Sequence, residues 1–145
     1  MASVRELLVR KHGDLVTVTG GTTVLDASTL MVGRGIGGVL VVEDGVLVGI
    51  FTERDVLRRV VAVQRDPATT AVREVMTSPV LTVAPETPLE DCRVLMSERR
   101  IRHLPVTADG ALVGVVSSGD VLAYEVSERQ ATIQQLESYV YYVRS

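Results

Sequence analysis

Two stretches of the chain decide its fold: Gly49-Ile50-Phe51-Thr52-Glu53-Arg54-Asp55-Val56 and Gly114-Val115-Val116-Ser117-Ser118-Gly119-Asp120-Val121. Both have a glycine, two apolar residues, a hydroxyl residue, two variable residues, an aspartate and an apolar residue. An apolar run followed by Ser/Thr-x-x-Asp is typical of a strand that passes into a helix. The same strand-to-helix passage is therefore expected twice.

The rest of the chain repeats around these stretches. When the sequence is shifted by 65 residues, residues 16–57 align with residues 81–122 without a gap, and 17 of the 42 pairs are identical. The first copy carries three additional residues near His12–Asp14. We therefore predict two copies of one unit, over residues 1–66 and 67–125, followed by a C-terminal helical extension over residues 126–145.

The sequence pattern of each copy predicts five elements in the order strand, helix, strand, strand, helix. The first strand covers residues 16–18 or 81–83, and the first helix covers 24–33 or 89–99, with Thr22 or Thr87 near its N-cap. Two strands follow at 39–42 and 46–51, or at 104–107 and 112–116, joined by Asp-Gly turns. The last helix begins near Thr52 or Ser117. Because one such unit buries too little surface alone, we predict that the two copies pack around a pseudo-twofold axis.

Composition excludes several classes of function. The chain has 145 residues, 46% of them hydrophobic, and a net charge of −3, which gives no general attraction to nucleic acid or anionic lipid. No apolar run approaches the roughly 20 residues of a membrane span. The single cysteine, Cys92, excludes an internal disulfide, and we expect a small buried side chain rather than a nucleophile. We expect a cytoplasmic protein that binds no nucleic acid, membrane or metal.

The paired motifs, together with Arg102-His103-Leu104-Pro105-Val106, resemble the cystathionine beta-synthase (CBS) domain, present as the tandem pair called a Bateman module. The resemblance covers about residues 4–125. It implies an α/β (α+β) fold of two β-α-β-β-α repeats, here with a C-terminal helix. It also implies a regulatory module that binds an adenine nucleotide or derivative in the clefts between the repeats. AMP, ADP, ATP, NAD and S-adenosylmethionine are the candidate ligands.

The chemistry of the motif suits such a ligand. A hydroxyl and a carboxylate three residues apart lie on one face of the first helical turn, beside unpaired N–H groups. In the family the aspartate typically holds ribose hydroxyls, and the Ser/Thr contacts phosphate or ribose. The candidate ligand-binding residues are Thr52, Arg54, Asp55, Thr77, Ser78, Val80, Arg102, His103, Ser117, Ser118 and Asp120.

The two clefts are expected to be unequal. Arg102-His103 stands before the second strand of copy two, where copy one has Gly37-Gly38. In nucleotide-binding members of the family, basic residues at this position reach phosphates. Arg54 and Arg58, in turn, flank the motif of copy one. One cleft should therefore suit a phosphorylated ligand better than the other.

The resemblance also implies that each cleft uses the stretch before the first strand of the other copy. Thr77–Val80 is expected to face the Asp55 motif, and Lys11–Leu15 is expected to face the Asp120 motif.

Two other readings of the motifs remain open. Ser/Thr-x-x-Asp also caps a helix, so a ligand-free structural or dimerisation scaffold is the alternative function. No Ser/His/Asp or Cys/His set accompanies a recognisable motif, so we assign no catalytic residue and expect no enzyme. The stretch Gly33–Gly38 formally matches a dinucleotide fingerprint, but it follows a predicted helix and precedes a strand, which is the reverse of the required order.

The C-terminal segment lies outside the repeat. Residues 121–143 contain neither glycine nor proline, which favours a long helix. Ile133, Leu136, Val140 and Val143 fall at near-heptad spacing. We expect a homodimer that forms through the CBS helices and this C-terminal helix, and an unknown effector protein that reads the conformation of the module.

Overall fold

A computed structural model describes residues 2–11 and 15–144, the side chains of residues 139 and 141–144 excepted. The elements follow the predicted order, except that copy two has no first strand. They are α1 (Val4–Arg10), β1 (Thr17–Val18), α2 (Val24–Arg34), β2 (Gly38–Glu43), β3 (Val46–Thr52), α3 (Glu53–Val56, continued by π-helical turns over Leu57–Val61), α4 (Val72–Val75), α5 (Leu89–Arg99), β4 (His103–Ala108), β5 (Ala111–Ser117) and α6 (Ser118–Arg144).

The sheets are small and centre on the two hairpins. β1 runs parallel to β2 and β2 runs antiparallel to β3, whereas β4 and β5 form a two-stranded sheet. Both hairpins turn on the predicted Asp-Gly pairs. Asp44 and Gly45 have φ values of 52° and 78°, and Asp109 and Gly110 have values of 51° and 81°. Two successive positive φ angles define the tight turn that matches strand twist, so both hairpin predictions are confirmed.

The first strand of copy two differs from the prediction. Residues 81–83 form no strand, and only Val83 makes an isolated bridge. Pro79 and Pro85 stand two residues before and after this stretch, and neither has a backbone N–H to donate to a ladder. The prediction of a strand there was wrong, although the equivalent β1 does form.

The predicted helix caps are displaced by one residue. Thr23, not Thr22, caps α2 and accepts a hydrogen bond from the Asp26 N–H at 3.1 Å. In α5 the N-cap is Pro88, not Thr87. The hydroxyls of Thr22 and Thr87 instead take part in the preceding turns, Thr22 with Thr19 and Thr87 as acceptor of the Ala84 N–H.

The chain divides into two compact units, neither of which is one sequence copy. The Asp55 unit contains residues 13–82 and 105–114, and the Asp120 unit contains residues 1–12, 83–104 and 115–145. In the Asp55 unit, α2 and the sheet close a core of buried side chains: Val24, Ala27, Met31, Val39, Val41, Phe51, Val60, Val72 and Val75.

In the Asp120 unit, α1 and α5 both contact α6. Its buried side chains include Val4, Leu7, Cys92, Met96, Leu104, Val116 and Val121. Cys92 is fully buried on α5, as expected for a small packing residue.

Each unit includes the short helix that precedes the other copy in sequence. α1 precedes copy one, yet Val4 N–H donates to the Thr87 carbonyl at 2.9 Å. α4 precedes copy two, yet Val72 N–H donates to the Thr22 carbonyl at 2.8 Å. The two bonds occupy equivalent places in the repeat, so the exchange of these short helices is the same in both directions. It brings the chain just after each short helix towards the motif of the other copy.

The motif glycine of copy one lies under the side chain of Met76, which follows α4 directly. A Cβ atom on Gly49 would collide with the sulfur and Cγ of Met76, so a larger residue there would displace this side chain. Next to it, Ile50 and Thr77 form an isolated antiparallel bridge.

The second motif helix and the predicted C-terminal extension form one uninterrupted helix, α6. From Val126 to Ser138 every side chain of α6 is exposed. Over the residues that the structure describes, no helix is both long and apolar enough to span a membrane.

Candidate functional site

The motif of copy one forms a closed hydrogen-bonded group, the Asp55 site, consisting of Thr52, Asp55 and Thr77. Thr52 is the N-cap of α3, and both its N–H and its hydroxyl donate to Asp55 Oδ2, at 3.0 and 3.3 Å. Across 22 residues of sequence, the Thr77 hydroxyl donates to Asp55 Oδ1 at 3.0 Å. Both carboxylate oxygens are therefore engaged by the protein itself.

The Asp55 carboxylate is also buried and lies near a cation. Asp55 is only 4% exposed. Arg59 Nε lies 3.9 Å from Asp55 Oδ1, but Arg59 Nη1 donates to the carbonyls of Val75 and Met76. A buried carboxylate with this set of donors is stable without a ligand.

The position that would meet a phosphate in copy one is acidic. Gly37 offers no side chain there, and the space that a Cβ on Gly37 would enter is bordered by the Glu53 carboxylate, at 3.5 to 3.6 Å. Glu53 begins α3, and its N–H donates to the Gly37 carbonyl. A second negative charge at this place opposes the binding of an anion.

The motif of copy two forms the Asp120 site, which consists of Lys11, Ser117 and Asp120, with Arg102 and His103 on the adjacent strand end. Ser117 N–H donates to Asp120 Oδ2 at 2.9 Å, and Asp120 N–H donates to Ser117 Oγ at 3.0 Å. These reciprocal bonds are a capping box, and they fix the carboxylate at the N-terminus of α6.

A cation completes the Asp120 site. Lys11 Nζ lies 2.7 Å from Asp120 Oδ2 and 2.8 Å from the Val115 carbonyl oxygen. The Asp120 side chain is 25% exposed and that of Lys11 is 35% exposed. Among the residues that the structure describes, Asp120 Oδ1 receives no hydrogen bond. This carboxylate, unlike that of Asp55, can still accept a donor from a ligand.

The protein holds the Asp120 carboxylate in its charged form. Partial burial acts to raise the pKa of Asp120, but hydrogen bonds from Lys11 and from the backbone and hydroxyl of Ser117 outweigh it, together with the Lys11 charge. The net result is a pKa below the usual value.

Three other predicted site residues lie near the start of β4 or of α6: Arg102, His103 and Ser118. The Arg102 carbonyl accepts from the Ser118 N–H at 2.9 Å, which places Arg102 beside the first turn of α6 with an exposed side chain. Ser118 is exposed, and half-buried His103 begins β4. Among the described residues, Lys11 is the cation that contacts the Asp120 carboxylate.

Several predicted positions of copy one are not part of the Asp55 group. Thr77 meets Asp55, but Ser78 and Val80 have no hydrogen bond to it among the described residues. Arg54 is exposed on α3. Of the stretch Lys11–Leu15, only Lys11 reaches the motif within the described residues, and His12, Gly13 and Asp14 lie outside them.

Lys11 lies in the stretch that was expected to face the Asp120 motif, but no function was predicted for it. It is the only lysine in the chain, which is the signal that could have singled it out. Glu53 was also missed, because its effect depends on the exact neighbours of Gly37. The Gly33–Gly38 stretch follows α2 and precedes β2, as predicted, and Gly35 ends α2 with a φ of 63°.

The comparison with known proteins identifies the family of the chain. Residues 4–62 and 72–127 match the CBS domain family, and the chain therefore belongs to it, with two CBS domains. A mitochondrial CBS domain-containing protein of Arabidopsis thaliana, CBSX3, is 38% identical over 133 residues, which are 88% of this chain and 65% of that protein. The chain thus spans slightly less than two thirds of this relative.

Two solved structures are similar to the whole repeat pair. A protein with CBS domains from Burkholderia ambifaria MC40-6 is 40% identical, with a TM-score of 0.83 over 87% of this chain and 95% of that one. CBSX2 in complex with AMP is 30% identical, with a TM-score of 0.69 over 80% of this chain and 90% of that one.

Proposed function

We propose that this CBS pair is a regulatory module that binds an adenosine nucleotide at the Asp120 site. The observation that carries the proposal is the Asp120 carboxylate, which is charged and partly exposed, and whose Oδ1 accepts no hydrogen bond from the described residues. A ribose diol supplies two hydroxyl donors for such a group, and the cations and the helix N-terminus beside it favour a phosphate. The AMP complex of CBSX2 supports this class of ligand.

We assign the Asp55 site a structural role instead. Its carboxylate is buried and hydrogen-bonded on both oxygens, and Glu53 adds a negative charge where a phosphate would approach. A ligand would have to displace the Thr77 hydroxyl and expel that charge. We therefore propose a single nucleotide per chain.

Regulation would follow from linkage. The Asp120 site joins α6 to the end of α1 through the Lys11 contact, so a ligand that binds there favours the conformations in which these helices are correctly placed. A partner protein that distinguishes those conformations would then respond to the nucleotide. No step in this scheme needs catalysis.

Calorimetric titration with AMP tests the proposal. We expect binding by the unchanged chain, loss of binding in Asp120→Asn, and retained binding in Asp55→Asn, which is the matched change in the other copy. Circular dichroism on both variants controls for folding. Binding lost only in Asp55→Asn would reject the assignment of the site. No binding of AMP by the folded, nucleotide-free protein would reject AMP as ligand.

The scaffold function has one specific observation in its favour. Thr52–Asp55 and Ser117–Asp120 both make the hydrogen bonds of a helix cap. Thermal unfolding in the presence of AMP, ADP, ATP, NAD and S-adenosylmethionine separates the two functions. If the chain binds nucleotides, one of these ligands at about 100 times its Kd should raise the unfolding midpoint by several degrees. If the chain is a scaffold, none of them should raise it.

We also propose that the chain forms a homodimer to which α6 contributes. An apolar stripe on α6 consists of five side chains that are 43% to 61% exposed: Leu122, Val126, Ile133, Leu136 and Val140. With Arg129 they follow one another in alternating steps of four and three residues. β-branched residues take one set of positions (126, 133 and 140), and leucine or Arg129 takes the other (122, 129 and 136). This is the pattern of a helix that packs against a second helix of the same kind.

A further inference from the structure

Lys11 holds the Asp120 carboxylate but does not use all its donors within the described chain. The ammonium group has three N–H bonds, and the structure provides two acceptors, Asp120 Oδ2 at 2.7 Å and the Val115 carbonyl at 2.8 Å. The Lys11 side chain is about one third exposed. One donor can therefore be directed to a group that arrives from solvent.

We propose that Lys11 is the specificity-determining residue of the Asp120 site and makes it selective for phosphorylated over unphosphorylated adenosine. This inference rests on the function proposed above. In it, the ammonium group neutralises the ribose-binding carboxylate on one side and donates its third N–H to an anionic oxygen of the ligand on the other. The ligand class is a nucleoside phosphate.

The charges at the site support this assignment. Without Lys11, the Asp120 carboxylate would repel a phosphate close to the ribose that it holds, since like charges a few ångströms apart repel most strongly in partly buried places. With Lys11, whose Nζ lies 2.7 Å from Asp120 Oδ2, the carboxylate is paired with a cation and this repulsion is reduced.

The Asp55 site has no lysine in the position that Lys11 takes at the Asp120 site. The residue that contacts the aspartate from the segment after the short helix is Thr77, whose hydroxyl is neutral and donates only to Asp55 Oδ1. The nearest cation, Arg59, is occupied by two backbone carbonyls. The unit that contains Lys11 also contains Arg102, although the two residues come from different sequence copies.

Titrations with AMP and with adenosine distinguish the contribution of Lys11 to binding from that of the other site residues. Lys11→Met keeps the length of the side chain without its charge, and Lys11→Arg keeps the charge. We expect Lys11→Met to weaken AMP binding about tenfold or more, the usual effect of losing a charge-assisted hydrogen bond, and to change adenosine binding much less. Lys11→Arg should keep most of the preference for AMP.

The outcomes distinguish the two proposals. If Lys11→Met weakens AMP and adenosine equally, Lys11 only orients Asp120 and the inference is overturned. If neither affinity changes, the inference is also overturned, while the nucleotide site stands. If the unchanged chain binds neither compound, both proposals fail. Unfolding midpoints of the two variants, compared with that of the unchanged chain, verify that they are folded.

A second measurement uses the uniqueness of Lys11. Because the chain has one lysine, labelling lysine with 13C and 15N gives one side-chain resonance set in an NMR spectrum. AMP should shift the Cε and Nζ signals of Lys11, and inorganic phosphate should shift them in the same direction at higher concentration. A shift with adenosine as large as that with AMP would contradict a contact to the phosphate.

Discussion

Asp55 and Asp120 occupy the same motif position, and the difference between them lies in their neighbours. Asp55 is buried and receives donors on both oxygens, whereas Asp120 is partly exposed and shares one oxygen with a lysine. The first arrangement strengthens the fold, and the second leaves a charged acceptor open to solvent. Two identical residues in a repeat can thus lie in different surroundings, one buried and fully hydrogen-bonded and the other partly exposed.

This division predicts unequal stability costs. Asp55→Ala should lower the free energy of unfolding by about 3 kcal/mol, because it removes a helix cap and leaves the Thr77 hydroxyl without its charged acceptor. Asp120→Ala should cost about 1 kcal/mol, the usual value of a cap at a partly exposed place. Denaturant titration of both variants measures the difference. Equal costs would show that the two sites do not differ in structural role.

The lowered pKa of Asp120 predicts a dependence of stability on pH. The folded chain binds a proton at Asp120 less readily than the unfolded chain, so the contribution of Asp120 is fully present above its ordinary pKa of about 3.9 and is lost as the pH falls towards the lower folded value. Unfolding free energies between about pH 5 and pH 3 should therefore fall more steeply for the unchanged chain than for Asp120→Asn. Parallel curves would contradict this prediction.

Burial of Cys92 predicts an unreactive thiol. Burial raises the pKa of Cys92, and the charge of neighbouring Asp91 raises it further. Since the thiolate is the reactive form, a disulfide reagent should modify the folded protein much more slowly than the unfolded one at neutral pH. Rapid modification of the folded protein would show that α5 opens readily.

The residues of the two sites could be identified from the sequence only in part. The Ser/Thr-x-x-Asp pairs follow from a local pattern, because their members are three positions apart and meet within one helical turn. The contact of Lys11 with Asp120 joins residues 109 positions apart. No local pattern predicts such a contact, since it depends on the exchange of α1 into the unit of the other copy.

At the level of elements, the sequence predicted the hairpins best. Asp-Gly at both turns adopts the positive φ values that it favours, and both pairs of strands have the predicted places. The helices α2 and α5 also begin at the predicted residues, Val24 and Leu89, although their N-caps are Thr23 and Pro88. The stretch 81–83 failed as a strand although its alternation resembles that of β1, since prolines flank it.

The ends of α2 and α5 provide a matched test of backbone strain. Both helices end at a left-handed residue, which is Gly35 in copy one and Arg100 in copy two, with φ values of 63° and 54°. Glycine adopts this conformation without the Cβ penalty. Arg100→Gly should therefore raise the free energy of unfolding by about 1 kcal/mol, and Gly35→Ala should lower it by a similar amount.

Equilibrium denaturation of the two variants checks this prediction. The side chain of Arg100 is exposed and no protein atom lies within 4 Å of a Cβ on Gly35, so the backbone effect should dominate both changes. A decrease in stability for Arg100→Gly would mean that the arginine side chain makes a contribution larger than the strain.

At the level of the whole molecule, the exposed stripe on α6 predicts an assembly. Ile133→Glu with Leu136→Glu should convert a dimer to monomers, because charges at adjacent apolar positions oppose helix packing. Gln134→Glu with Gln135→Glu adds the same charge beside the stripe and should leave the dimer intact. Sedimentation velocity distinguishes the two results. An unchanged chain that is monomeric at high concentration would reject the assembly.

The exchange of α1 and α4 also determines when the protein can fold as it is synthesised. The Asp55 unit lacks residues 105–114 until most of the chain has left the ribosome. α1 emerges well before α6, which contacts it through Tyr124 and Glu128. The first copy alone should therefore remain incompletely folded, and native structure should form late in synthesis. A chain of two autonomous domains, in contrast, would fold one domain after the other.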